Sequence, residues 1–174
     1  MLNEIQGKYL RTIPENAKAN IAPWDPKAAK FAKNLIKKIE KDSGLEVFWV
    51  GSLALGILGK NDIDLYIFAE PEDFEKHLPK LAQSLGKPTH KLQERILWRI
   101  IKDGYKIDAS LLSKNSLDVK NDIFFTQSLK NNQALLQEYA SLKIPGLSAR
   151  EYYRLKNEFY NRIVENKYMT PNLG

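Results

Sequence analysis

The chain has 174 residues, 43% of them hydrophobic, and a formal net charge of +6, which is enough for one domain with a full apolar core and excludes a disordered chain. With no cysteine and only two histidines, disulfide frameworks, thiolate metal sites and histidine-rich zinc sites are excluded. There is no run of 18 apolar residues to span a membrane and no apolar stretch of a signal peptide at the start, so a cytoplasmic location is expected. The positive balance favours polyanionic partners such as nucleotides or RNA.

Residues 1–22 read as an irregular segment. Asp25-Pro26 supplies an N-cap and a first-turn proline. Phe31, Leu35 and Ile39 recur every four residues and make 26–41 an amphipathic helix, with lysines on its solvent face and Gly44 at its end. Residues 45–50 form a strand, Ser52 to about Leu58 a short helix, and 62–68 a second strand. Pro71 opens a helical region to about Leu85, which Pro79 should kink or split. Asp103-Gly104 between two alternating runs predicts a two-residue hairpin turn joining strands 96–102 and 105–112. In that register Lys102 pairs with Tyr105, and Arg99 faces Asp108.

From about residue 120 the chain reads as helical. Leu135, Leu136, Tyr139 and Leu142 lie at helical spacing before an Ile144-Pro145-Gly146 break. Ser148 and Glu151 form a capping box that opens a helix to about Asn166, with Tyr152, Leu155, Phe159 and Ile163 on one stripe. His77 and His90 read as surface residues of a helix and a loop. The element order predicts an α+β fold. Its expected parts are the irregular segment 1–22, an α/β core over 23–118 with a mixed sheet and flanking helices, and C-terminal helices over 119–174 packed on that core in the same domain.

Asp62 and Asp64 stand two residues apart in a strand, so alternation puts both carboxylates on one face. Like charges there repel. Either that face looks into solvent, or something positive sits between the acids. Asp108, on the strand after the hairpin, adds a third carboxylate. Three carboxylates on neighbouring strands beside a Gly51-Ser52 turn are the parts needed for metal-assisted nucleotidyl transfer. Magnesium or manganese takes oxygen ligands, and two such ions can activate an attacking hydroxyl and stabilise a leaving pyrophosphate. Gly51 would let the backbone approach phosphates, and the amides after Ser52 would meet them at the positive end of a helix.

Each part also has a plain structural reading. Asp62 could be a solvated strand entry, Gly51-Ser52 an ordinary strand-to-helix turn, and Asp108 the ion-pair partner of Arg99. Arg99 could equally face a phosphate, and Lys156 could be a solvated helix lysine. Asp64 lies one alternation deeper than Asp62, where an unpaired charge is hard to excuse.

The pattern Gly51-Ser52, nine residues, Asp62-Ile63-Asp64 and a later strand aspartate, Asp108, resembles the DNA polymerase β-type nucleotidyltransferase superfamily. Within it, residues 123–143 (IFFTQSLKNNQALLQEYASLK) and the helix with Tyr153, Lys156 and Phe159 resemble the GrpB-like nucleotidyltransferases over roughly residues 20–165. The usual proline-rich stretch after Gly-Ser is Leu-Ala-Leu-Gly here, both aspartates are present where that family often has one, and its usual arginine after the phenylalanine is Thr126.

The resemblance implies a nucleotidyltransferase-like mixed sheet. It implies transfer of a nucleoside monophosphate from a nucleoside triphosphate to a hydroxyl of an unknown acceptor, whether RNA, protein or small molecule. Asp62, Asp64 and Asp108 would be catalytic metal ligands for Mg2+ or Mn2+, and Gly51, Ser52, Arg99 and Lys156 would bind the nucleotide. The alternatives are a non-catalytic nucleotide- or RNA-binding module and an antitoxin-like partner-binding protein on the same fold.

Overall fold

Residues 2–169 are described by a computed structural model. Five strands form one sheet in the order β1-β2-β5-β4-β3. They are β1 (Val47–Val50), β2 (Ile63–Phe68), β3 (His90–Lys91), β4 (Arg95–Lys102) and β5 (Tyr105–Leu112). β2 and β5 are parallel, and the other neighbours are antiparallel. The expected α+β fold with a mixed sheet is what the chain adopts.

Among the described residues the helices are α1 (Glu4–Thr12), α2 (Pro26–Ser43), α3 (Gly51–Ala54), α4 (Phe74–Leu85), α5 (Leu117–Asn131), α6 (Gln133–Ser141) and α7 (Ala149–Met169). No helix among them is long and apolar enough to cross a membrane.

The alternation of β2, β4 and β5 sorts their side chains onto two faces. Ile63, Leu65, Ile67, Ile96, Trp98, Ile107, Ala109 and Leu111 point to one face, where α2 and α4 supply Ala28, Ala32, Leu35, Ile39, Phe74, Leu81 and Leu85. This apolar layer is the main core. Trp98 is fully buried there, and its indole N–H donates to the Gly86 carbonyl at 3.0 Å, so its one polar atom is satisfied. The other face carries Asp62, Asp64, Tyr66, Lys106, Asp108, Arg95 and Arg99.

The C-terminal helices cover only part of that second face. Phe68, Leu112 and Val119 pack there with Phe48, Tyr66 and Ile123. Beyond them Phe125, Leu129, Tyr139, Phe159 and Ile163 form a separate cluster that joins α5, α6 and α7 to Leu55 and Ile57. Asp122 of α5 accepts from the hydroxyls of Tyr66 (2.6 Å) and Tyr160 (2.7 Å), which ties the sheet to α5 and α7.

Several expectations are corrected here. The segment 1–22 is not wholly irregular, because Asn3 and Gln6 make a reciprocal capping box that starts α1. α1 then docks on α7 through Leu10, Ile13 and Ala149 and through paired Gln6–Asn161 side chains. The short helix after Ser52 is a single turn ending at Ala54 rather than near Leu58. Pro79 does not split α4; its ring lies on the exposed side, and a 3-10 turn over Pro71–Asp73 precedes the helix. His77 is half-buried with its Nδ1 atom shielded and unbonded, and the exposed His90 belongs to β3 rather than a loop.

The hairpin register is as expected, with Lys102 opposite Tyr105 and Arg99 opposite Asp108. Asp103 (φ 50°) and Gly104 (φ 83°) both lie in the left-handed region that a two-residue turn of this hand requires. A Cβ at Gly104 would meet open space, so Gly104→Ala tests backbone conformation alone. It should cost about 1–2 kcal/mol in a chemical denaturation experiment, with the denaturant slope unchanged.

Candidate active site

The parallel pairing of β2 with β5 sets Asp64 directly opposite Asp108, and the antiparallel pairing of β1 with β2 sets Val50, just before Gly51, opposite Asp64. A cavity of about 180 Å³ opens where these strand ends meet. Gly51, Ser52, Asp62, Asp64, Asp108 and Lys156 all line it, together with Lys60, Lys106 and Tyr153. Six of the seven residues singled out in the sequence thus share one cavity. Arg99 does not; it lines a neighbouring groove over β4 and β5.

The charge between the acids is Lys106. Its Nζ atom donates to Asp62 Oδ2 at 2.8 Å and lies 3.1 Å from Asp108 Oδ2. Burial pulls the ammonium down, but the bonds to Asp62 and Asp108 outweigh that and hold its pKa above the ordinary lysine value. Lys106 stands two residues before Asp108 on β5, and the alternation rule could have found it. Arg99 Nε lies 4.0 Å from Asp108 Oδ1, too long for a hydrogen bond.

Asp64 has no such compensation. Burial pushes its carboxyl up to about 6; Lys156 opposes the shift, and the charges of Asp62 and Asp108 add to it. Gly51 is what permits Asp64 to sit so close: its φ is 85°, and a Cβ there would collide with the Asp64 carboxylate.

Behind the turn lies a buried cation that the sequence reading quoted within residues 123–143 but did not assign. Lys143 is 3% exposed. Its Nζ atom donates to Ser52 Oγ at 2.7 Å and to the Tyr152 hydroxyl at 3.0 Å. Because the lysine donates to the oxygen, the Ser52 hydroxyl hydrogen is left to point elsewhere. Burial, with help from the nearby positive charges of Lys156 and Lys60, brings the Lys143 amine down to about 7. Gly59 lies against Ser52 with no room for a side chain. The signal for Lys143 was its place at the helix end before Ile144-Pro145-Gly146.

Lys60 and Lys156 supply positive charge at the mouth. Lys60 Nζ donates to the Tyr153 hydroxyl at 2.7 Å. Lys156 is half-buried, and Tyr139, then Tyr152 and Asp64, hold its ammonium above the usual lysine range.

Among the described residues no group of three acids, histidines or cysteines is drawn together tightly enough to hold an ion as it stands. The Lys106 ammonium sits between Asp62 and Asp108. The chemistry of the three carboxylates nevertheless fits a hard divalent cation, since all donors are oxygens. Asp108 Oδ1 is buried with no hydrogen-bond partner, and burial outweighs the nearby Lys156 and Lys106 charges at the raised Asp64 carboxyl. These residues could hold an ion once Lys106 gives way.

No protein-family model matches the chain, and no curated protein matches it. Solved structures similar to it include the Cid1 poly(U) polymerase bound to Mg and 3'-dATP, at 15% identity and a TM-score of 0.48 over 86% of this chain and 52% of that one. A cytoplasmic RNA terminal U-transferase is similar at 16% identity and a TM-score of 0.40, over 79% of this chain and 45% of that one. The GLD-2/RNP-8 complex is similar at 13% identity and a TM-score of 0.45, over 94% of this chain and 62% of that one. This chain therefore spans less than two thirds of the length of each. Likeness of this degree is one of overall shape, and function rests on the chain's own residues.

The raised Asp64 carboxyl has a consequence for stability. Its folded-state pKa of about 6 lies above its ordinary value of 3.8, so its contribution is fully favourable below about pH 4 and is lost as pH rises through about 6. Asp64→Asn should therefore match the parent near pH 4 and exceed it at pH 7.5, by on the order of 2–3 kcal/mol. Urea melts of both proteins at the two pH values measure this; an equal difference at both would remove burial of the charge as the cause.

Proposed function

We propose that this chain is a metal-dependent nucleotidyltransferase of the DNA polymerase β type that resembles the GrpB-like proteins. The observation that carries the reading is the half-buried Asp64 carboxyl, set beside the Gly51-Ser52 turn and directly opposite Asp108 on the parallel neighbour strand. A structural aspartate has no reason to be there, because burying a carboxylate among like charges costs stability.

In this reading Asp62, Asp64 and Asp108 hold Mg2+ or Mn2+, which when bound would neutralise phosphate charge and favour ionisation of the acceptor hydroxyl. The triphosphate lies along Gly51 and Ser52. Ser52, held from behind by Lys143, donates its hydroxyl hydrogen into the cavity, and Lys60 and Lys156 supply positive charge to the phosphates. The acceptor oxygen forms a bond to the α-phosphorus, the bond to the bridging oxygen of the β-phosphate breaks, and pyrophosphate leaves. Asp108 Oδ1, which has no hydrogen-bond partner, accepts the hydrogen of the acceptor hydroxyl.

Calorimetric titration with ATP, CTP, GTP and UTP, with and without magnesium, tests the proposal. At least one triphosphate should bind in the presence of the ion, with affinity falling about tenfold or more in its absence or in Asp64→Asn. Equal binding with and without magnesium would point to a non-catalytic nucleotide module, and no binding of any triphosphate to a partner-binding protein.

A further inference from the structure

Beyond Asp108 the open face of the sheet continues as a groove of about 510 Å³ over β4 and β5, lined by Tyr9, Tyr66, Arg95, Arg99 and Ser110. Asp64, Lys106 and Asp108 line this groove as well as the smaller cavity. The two spaces therefore adjoin at Asp64, Lys106 and Asp108.

The groove carries two guanidinium groups with few partners. Arg95 is half-buried, and among the described residues its guanidinium makes no hydrogen bond or ion pair. Arg99 has only the 4.0 Å approach to Asp108. Both stand on the same face of β4, four residues and about 13 Å apart. Ser110 lies between them in register, opposite Leu97. Tyr9, on α1, forms the far wall with its ring about half exposed and set edge-on to Tyr153 at 5.6 Å. A guanidinium is a rigid fork of donors matched to phosphate oxygens. Arg99 stands opposite Asp108 and Arg95 opposite Leu112, further along the groove, which describes a ligand whose hydroxyl sits at Asp108 and whose phosphate charge runs from Arg99 towards Arg95.

We propose that this groove seats the acceptor, and that the acceptor is a phosphate-bearing alcohol. Its reacting hydroxyl lies at Asp108, its phosphate on Arg95 and Arg99, and any planar base or ring against Tyr9. The inference rests on the transfer reading above, and it narrows an acceptor of any kind to an anionic one. A nucleic-acid 3' end and a small phosphorylated alcohol both carry this chemistry.

The test is a binding measurement without triphosphate. Fluorescein-labelled hexa-adenylate with a free 3' hydroxyl is titrated with the protein and followed by anisotropy, with adenosine 5'-monophosphate as competitor. The variants are Arg95→Gln/Arg99→Gln and Lys33→Gln/Lys37→Gln, which lose equal charge; both lysines are exposed on α2, on the far side of the sheet. Circular dichroism confirms that each variant is folded, and Arg95→Gln and Arg99→Gln alone replace the double variant if it is not.

The arginine changes should weaken the hexamer about tenfold or more, and the lysine changes by less than about twofold. A monophosphate that competes with an affinity equal to the hexamer's would identify a small phosphorylated alcohol, and a hexamer that binds about tenfold or more tightly than the monophosphate a nucleic-acid end. Equal weakening by both double variants, or no binding of the hexamer to the parent, overturns the proposal. Failure of magnesium-dependent triphosphate binding in the parent would instead strike the transfer reading, while an arginine-dependent groove would still bind the hexamer.

Discussion

The parallel pairing of β2 with β5 is the constraint on which the rest depends. It places Asp64 opposite Asp108, and alternation adds Asp62 and Lys106 to the same end of the same face. The opposite face is free to be wholly apolar and to pack on α2 and α4. The acid face cannot be closed that way, because three carboxylates under an apolar cover would pay an unrecovered desolvation cost. The C-terminal helices accordingly seal the part that carries Phe68 and Leu112 with apolar side chains, and beside the acids they present Tyr139, Tyr152, Tyr153 and Lys156 instead.

What sits over the acids is positive, and it comes from separate parts of the chain. Lys106 is on β5, Lys60 precedes β2, Lys143 follows α6 and Lys156 is on α7. The site is therefore formed between the sheet and the helical part, not by the sheet alone. Burial acts on its members in opposite directions: it raises the Asp64 carboxyl and lowers the Lys143 amine. Both shifts bring groups closer to neutrality, which is how a folded chain tolerates ionisable side chains it does not fully pair. Both are also eased by a ligand of the right charge, a cation for Asp64 and an anion near Lys143. That complementarity fits a site for a metal–triphosphate complex.

Much of this was legible from local pattern. The period of two in 62–68 and 105–112 showed which side chains share a face, and Asp103-Gly104 set the register that puts Arg99 opposite Asp108. The adjacency of β2 and β5 was expected only from the acids they share; their parallel direction and the order of the remaining strands were not legible, because the contact joins segments about forty residues apart and no short-range signal encodes it. α1 was missed because its nine residues bury only Leu10, and its stability comes from the Asn3–Gln6 box and from docking on α7. Lys106 and Lys143 were visible as lysines in a chain rich in them. What distinguishes them is burial and the partner each touches, and those emerge only when strand and helix meet. Arg99 was read as a residue of the nucleotide site, and the structure sets it in the adjoining groove.

In the proposed reading Asp62, Asp64 and Asp108 form a cation site in which Lys106 is a displaceable occupant. A crystal structure of the protein grown with Mn2+ and a non-hydrolysable triphosphate, with the manganese located by its anomalous scattering, tests this. An anomalous peak bonded to carboxylate oxygens of Asp62 and Asp64 is expected, with phosphate density beside Gly51 and Ser52 and Lys106 Nζ withdrawn from between Asp62 and Asp108. A triphosphate bound elsewhere, or no manganese peak with Lys106 still bridging the two acids, would contradict the reading.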